Sequence, residues 1–219
     1  MTQPRIDLAR NVARHLLRIG AVTLSPLEPF TWASGRLAPV YCDNRLTLGY
    51  PDVRSDIAKG FASVMKDESI SCDVIVGTAT AGIPHAAWLA EKMELPMAYV
   101  RSKAKEHGRS NQIEGLAPDG ARAVVIEDLV STGMSSTAVL KPLAEAGVNV
   151  QAILAIFTYG LPIADRAFAA AGVPLHTLSS FPVLIEEASR SGSLTSDELN
   201  SLNAWYRNPA RWSADRGGK

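Results

Sequence analysis

Residues 123–140, AVVIEDLVSTGMSSTAVL, gather the residue types in this chain best suited to chemistry. An apolar run ends on two adjacent carboxylates, Glu127 and Asp128, followed by Leu129, Val130 and a stretch of small hydroxyl and glycine residues. The leading N–H groups of a helix attract phosphate, and small residues let a loop approach it closely. Ser131, Thr132, Gly133, Ser135 and Ser136 suit that role. Carboxylates repel phosphate but accept hydrogen bonds from neutral hydroxyls. A ribose 5-phosphate presents both kinds of partner, a phosphate and a vicinal diol. Neither the GK[ST] ending of a P-loop nor the G-x-G-x-x-G dinucleotide pattern occurs. The competing structural reading is an ordinary strand-to-helix connection, with Ser135 as N-cap and an exposed acidic pair.

Two further segments carry possible contacts. In GTATAG, Thr78, Ala79, Thr80, Ala81 and Gly82 follow an apolar strand and let backbone approach an anion; a plain turn before a helix is the alternative. After Arg101, the residues Lys103, Lys105, His107 and Arg109 stand among Ala, Ser and Gly, with no apolar anchor before Ile113. Such a run cannot bury enough apolar surface to order itself, and an ordering role over a polyanion is expected. His15, His85 and His176 fall in helical or strand contexts and read as structural. Trp32, Trp88, Trp205 and Trp212 share no spacing and are expected in packing.

The elements that position these segments follow from periodicity. A helix is expected from Ile6 to Ile19, with Val12, Leu16 and Ile19 on one face and Gly20 as the stop. Residues 29–43 read as two short strands around a Ser34–Gly35 turn, and Pro51 opens a helix with Val53, Ile57, Phe61 and Val64 on one face. From residue 73 the expected order is strand DVIVG, a helix from Ile83 to Met93, strands MAYV and RAVVIED, helix SSTAVLKPLAEAG as one element, strand VQAILAIF, helix PIADRAFAAAG and strand LHTL. Strands this uniformly apolar are buried on both faces, so the fold class is α/β with a mainly parallel sheet flanked by helices. Ligands in such sheets sit beyond the carboxyl ends of the strands, so the loops after Gly77, Arg101 and Asp128 should converge. Thr195 and Glu198 form a capping box, and the tail RNPARWSADRGGK is expected to be loose at its end.

A chain of 219 residues suits one domain, here divided into an N-terminal helix and hairpin (about 1–45), a core (46–180) and C-terminal helices and tail (181–219). Its 22 Lys+Arg balance 22 Asp+Glu, so no global field argues for a nucleic-acid or membrane partner, and any anion site must be local. No apolar run is long enough to span a bilayer, and MTQPRIDLAR does not read as a secretory signal; a cytoplasmic location is expected. Cys42 and Cys72 are too few and too far apart for a disulfide framework or zinc site and read as buried free thiols.

VVIEDLVSTG closely resembles the ribose-phosphate-binding motif of type I phosphoribosyltransferases. FTWASGRLAPVYCDNR (30–45), GTATAGIPHAA (77–87) and RSKAKEHGRSNQIEG (101–115) narrow the resemblance to the orotate phosphoribosyltransferase family, over most of the chain. The resemblance implies a type I core with a small N-terminal hood, Mg²⁺ as cofactor without an assigned protein ligand, and the substrates orotate and 5-phosphoribosyl 1-diphosphate (PRPP). The products would be orotidine 5′-phosphate and pyrophosphate, in pyrimidine nucleotide synthesis. It implies PRPP contacts from Arg101, Lys105, His107 and residues 127–135, including Met134, and pyrophosphate contacts from Thr78 to Gly82. Lys105, His107 and Asp128 are the implied catalytic residues. The segment 101–115 would close over the site of the neighbouring subunit in a homodimer. Ser131 matches a base-site position, with Tyr41 and Arg45 as candidates on the hairpin side. The chain departs from the family at Ser102, where a basic residue is common and Lys103 could substitute. Ala33 replaces a common Lys, Tyr159 an Arg found in some members, and Met134 a second Gly. The alternatives are a purine phosphoribosyltransferase, which would match the 30–45 and 101–115 segments less well, and a PRPP-sensing regulator on the same fold.

Overall fold

The computed structural model describes residues 2–102 and 112–219. In chain order it comprises α1 (Gln3–Arg18), β1 (Val22–Leu24), β2 (Phe30–Thr31), β3 (Leu37–Ala38), β4 (Val40–Cys42), a 3-10 helix (Asn44–Gly49), α2 (Pro51–Asp67), β5 (Val74–Thr78), α3 (Gly82–Met93), β6 (Met97–Val100) and β7 (Ile113–Gly115). There follow β8 (Arg122–Val130), α4 (Met134–Ala138), α5 (Leu140–Glu145), β9 (Asn149–Thr158), α6 (Pro162–Ala171), β10 (Leu175–Ser180), α7 (Phe181–Arg190), α8 (Ser196–Arg207) and α9 (Pro209–Ala214).

Six strands form one sheet in the order β10-β9-β8-β5-β6-β7. All neighbours are parallel except β6 and β7. Alternate side chains on each strand serve opposite faces. Ile75, Val124, Ile126, Leu154 and Ile156 pack with α1, α2, α3, α7 and α8, whereas Val74, Val76, Val125 and Ile153 pack with α5 and α6. Uniformly apolar strands thus have a physical reason: both faces are covered.

The structure departs from the sequence expectations at four places. Residues 113–115, expected within a loop, form edge strand β7, because Ile113 faces the core and the backbone pairs with Val100. The element expected after Ser135 as one helix is two, α4 and α5, joined at Val139. The hood contains four short strands rather than two, since β1 and β4 pair outside the β2–β3 hairpin. The tail is held: Asn208 caps α9 by accepting from Arg211 N–H, Leu37 N–H donates to Ser213 Oγ at 2.9 Å, and Ser213 Oγ donates to the Lys219 carbonyl at 2.8 Å. The capping box at Thr195 and Glu198 is present as expected.

Aromatic packing docks the hairpin on the core. Trp32 lies 5.2 Å from Tyr159 and 5.9 Å from Trp205 between ring centroids, and Trp205 packs on Phe181 at 4.9 Å. The tryptophans at 32 and 205, which share no sequence spacing, meet because α8 returns across the end of β9. Trp205 is 1% exposed. Replacing it with Ala is expected to reduce unfolding free energy by about 3–5 kcal/mol, read from a urea titration; a loss under about 1 kcal/mol would contradict this role.

Candidate active site

Glu127 lies near the carboxyl end of β8, the strand between β5 and β9, and is 8% exposed. Its Oε1 accepts from Thr78 Oγ1 at 2.7 Å and from Asp128 N–H at 3.0 Å, and its Oε2 accepts from Ser136 Oγ at 3.1 Å. Thr78 also donates to the Ile126 carbonyl at 3.1 Å. One carboxylate therefore ties the end of β5 to the end of β8 and to α4. Burial raises the Glu127 carboxyl above its ordinary value, opposed by the Thr78 hydroxyl. Burial raises Asp128 too.

A cavity of about 360 Å³ opens over this network, lined by Ala79–Ala81, Glu127–Leu129, Ser131–Gly133, Ser135 and Ser136. The two glycine-containing loops thus meet beyond the carboxyl ends of the parallel strands, as expected from the sequence. Gly82 is required by contact: a Cβ there would collide with the Ile126 carbonyl oxygen and lie 2.5 Å from Thr78 Oγ1. Gly133 has φ +80° and caps α4 without a side-chain hydrogen bond. Ser135 is accordingly not the N-cap: it lies inside α4 and faces the cavity. Ser136 also departs from expectation, because its hydroxyl is committed to Glu127 rather than presented to a ligand. Val130 is fully buried, so its side chain is not available to a ligand, and Met134 is 70% exposed.

An adjoining cavity of about 230 Å³ shares Ala79, Glu127 and Ser135 and adds Arg101, Ser102 and Gln112. Arg101 pairs with Glu114 at 3.7 Å. Its N–H donates to the Gln112 carbonyl at 2.8 Å, and Gln112 Nε2 donates back to the Arg101 carbonyl at 3.2 Å. These bonds and the β6–β7 pairing bring both ends of the cationic segment to the cavity rim. Lys103, Lys105, His107 and Arg109 lie outside the described residues.

The phosphoribosyl transferase domain family matches residues 51–167. The chain is 52% identical over 207 residues to orotate phosphoribosyltransferase of Bacillus caldolyticus, covering 94% of this chain and 100% of that protein. It is also 52% identical over 202 residues to the enzyme of that name from Bacillus subtilis, covering 92% and 94% of the respective chains. This chain belongs to the orotate phosphoribosyltransferase family. The crystal structure of the family member from Aeropyrum pernix superposes with a TM-score of 0.72 at 31% identity, covering 84% of this chain and 99% of that one.

Tyr159 is 3% exposed and sits among Trp32, Phe157 and Trp205 in an aromatic stack. Ala33 lines a separate large cavity that includes Ser131, Thr132 and Ser135. Tyr41 is half-exposed and packs on Phe30; neither it nor Arg45 is among the residues lining the three cavities beside the acidic pair. Arg45 instead grips Asp43 through Nε–Oδ1 at 2.6 Å and Nη2–Oδ2 at 2.8 Å. Arg45, a base-side candidate from the sequence, is thus matched by an acidic partner two residues away.

Asn44 was not recognisable from sequence as part of the site. Its Nδ2 donates to the Asp128 carbonyl at 2.6 Å, and Thr47 links the Asn44 carbonyl to buried His85. A lone Asn after a strand carries no signal of a partner 84 residues away. Burial lowers His85 to about 4, consistent with a structural, neutral imidazole. Cys42 and Cys72 are free and partly buried, and burial raises both thiols.

The raised carboxyls have a stability consequence. Because Glu127's folded pKa lies above its unfolded one, its favourable contribution is full below the unfolded value and lost as pH rises through the folded value. Glu127→Gln should therefore stabilise the ligand-free protein at neutral pH by roughly 1–3 kcal/mol, with the gain shrinking toward about pH 4. Denaturant titrations at both pH values check this; a gain independent of pH would contradict it.

Proposed function

We propose that the chain transfers the 5-phosphoribosyl group of PRPP to N1 of orotate, forming orotidine 5′-phosphate and pyrophosphate in pyrimidine nucleotide synthesis. The observation that carries this reading is the junction of the two small-residue loops at Glu127 and Asp128, in a chain half identical to orotate phosphoribosyltransferases over nearly its whole length. A ribose hydroxyl can donate to Asp128 while the phosphate approaches Ser131–Ser135 and the pyrophosphate approaches Thr78–Gly82. Glu127 is the positioning group, with both oxygens already held by Thr78, Asp128 and Ser136.

In the reaction the C1′–N1 bond forms as the C1′–O bond to pyrophosphate breaks, and the bond electrons leave with pyrophosphate. Positive charge develops on the ribose in the transition state, as in glycosyl transfer generally. Deprotonated orotate N1 is a competent nucleophile, so a covalent enzyme intermediate is not needed. Asp128 offsets the sugar charge, and rates come from positioning and from neutralising the leaving group.

The residues lining the phosphate cavity include two carboxylates and no cation. A polyanion entering it needs positive charge from elsewhere, from Arg101 at the adjoining rim and from Lys105 and His107, which lie outside the described residues. This donor set fits Mg²⁺ arriving on the diphosphate rather than in a protein cage: among the described residues no group of three His, Cys, Asp or Glu could hold an ion, while Asp128 is the oxygen donor at hand. When bound, Mg²⁺ would supply charge neutralisation of the diphosphate. We assign the cationic part of the 101–115 segment, with Lys105 and His107, to the partner's site in a homodimer, a reading that rests on the family resemblance, while Arg101 and Ile113–Gly115 stay with this chain's own sheet and cavity rim.

Assaying turnover with orotate, hypoxanthine, adenine and uracil, with and without a chelator, tests the substrate and metal together; activity on a purine instead of orotate would overturn the reading. Asp128→Asn should fold normally and lose at least ~10-fold in turnover, since a contact that strengthens in the transition state is weakened. Co-expressing Lys105→Ala with Asp128→Asn tests the shared site. If the segment acts in trans, random pairing leaves about one quarter of sites intact and returns about one quarter of wild-type activity; in cis, every site carries one lesion and nothing returns.

A further inference from the structure

The largest cavity beside the phosphate loop, about 940 Å³, shares Ser131, Thr132 and Ser135 with the phosphate cavity and extends toward the hood. Its charge is opposite. Three arginines, Arg36, Arg166 and Arg207, line it, and no Asp or Glu does. The phosphate cavity has the reverse composition, Glu127 and Asp128 with no cation. None of the three guanidinium groups takes part in an ion pair or side-chain hydrogen bond among the described residues, whereas Arg45 is matched by Asp43 and Arg122 by Asp73. Unpaired cations converging on a cavity with an aromatic wall, supplied by Trp32 and Trp205, suit a flat anion rather than a neutral base.

We propose that Arg207 recognises the carboxylate of the pyrimidine, with Arg36 and Arg166 adding attraction for the anion, so that this cavity selects a carboxylated base. The proposal rests on the phosphoribosyl transfer reading above and assigns its base specificity. Arg207 is placed first because its backbone is the most firmly fixed of the three. It ends α8 two residues beyond Trp205, which packs on Trp32, Tyr159 and Phe181, and it precedes Asn208, whose side chain caps α9. All three side chains are exposed; Arg36 stands on a hairpin of two-residue strands and Arg166 within α6, whereas Arg207 follows directly on the buried aromatic stack. A rigid element holds a charge-assisted contact in better register than a loop does.

The division of charge also suits the reaction. The sugar becomes cationic beside Asp128, and the base enters as an anion on the arginine side, with Ser131, Thr132 and Ser135 at the boundary of the two cavities. Each charge therefore meets its complement without the base carboxylate facing the acidic pair.

The test compares orotidine 5′-phosphate with uridine 5′-phosphate, which differ only in the carboxylate and share the ribose-phosphate contacts. Calorimetric affinities of both would be measured for the intact wild-type protein and for Arg207→Gln. Wild type should prefer the carboxylated nucleotide. Arg207→Gln should lose roughly 10-fold or more of that preference while binding uridine 5′-phosphate as wild type does. Arg207→Lys should recover part of the preference, and Arg36→Ala with Arg166→Ala should reduce it less than Arg207→Gln does. An unchanged preference in Arg207→Gln overturns the proposal, as does an equal loss for both nucleotides, which would mark a structural role. Loss of preference in Arg45→Ala with Arg207→Gln unaffected would also overturn it. A wild type with no preference for the carboxylated nucleotide would fail the parent reading itself, before any variant is compared.

Discussion

Glu127 cannot be buried between two strand ends unless its charge is met, and the protein meets it with hydroxyls and an amide rather than with a cation. That choice constrains much else. Thr78 must sit at the end of β5, Ser136 must lie in the first turns of α4, and Gly82 must lack a side chain so that α3 can approach Ile126 and Thr78. A Lys or Arg in place of the hydroxyls would stabilise the carboxylate more strongly, but would also put a fixed cation beneath the sugar. With hydroxyl donors the acidic pair keeps its negative field toward the cavity, and burial rather than pairing sets its affinity for protons.

This leaves the cavity proposed to take a polyanion without a cation of its own among the residues lining it. Positive charge is instead kept at its borders. Arg101 lies at one rim, where the hydrogen bonds between Arg101 and Gln112 close the base of the cationic segment, and three arginines line the cavity at the other. Such an arrangement suits the proposed reaction, with cations at the borders for anionic ligands and carboxylates at the centre for a sugar that becomes positive as its bond breaks.

The hood belongs to the same scheme because it forms a wall of the arginine cavity. Two-residue strands are too short to hold themselves, and β2 and β3 gain their position from Trp32 on Tyr159 and Trp205, and from Leu37 on Ser213. The C-terminal helices are thus coupled to the substrate side of the fold: α8 supplies both the aromatic support and Arg207, and α9 supplies the serine that receives the hairpin's backbone N–H. The same stack keeps Tyr159 buried beneath the hairpin.

The sequence by itself determined the parallel core, the acidic pair, and the two loops beside it, because each is encoded locally: apolar runs set buried strands, and small residues set close backbone approach. It also determined the family, through segments spread over most of the chain. Tertiary structure alone decided that Glu127 spends its oxygens on Thr78 and Ser136, that Ser135 faces the cavity instead of capping a helix, and that Arg45 pairs with Asp43 while Arg207, with no ion-pair partner among the described residues, lines the same cavity as Ser131 and Thr132. It likewise decided that Ile113–Gly115 closes the sheet edge and that the tail reaches back to the hairpin. The reason is the same in each case. A hydrogen bond, an ion pair or a strand pairing depends on where a second residue arrives in space, and for Thr78 and Glu127, or Leu37 and Ser213, that partner lies 49 or 176 residues away.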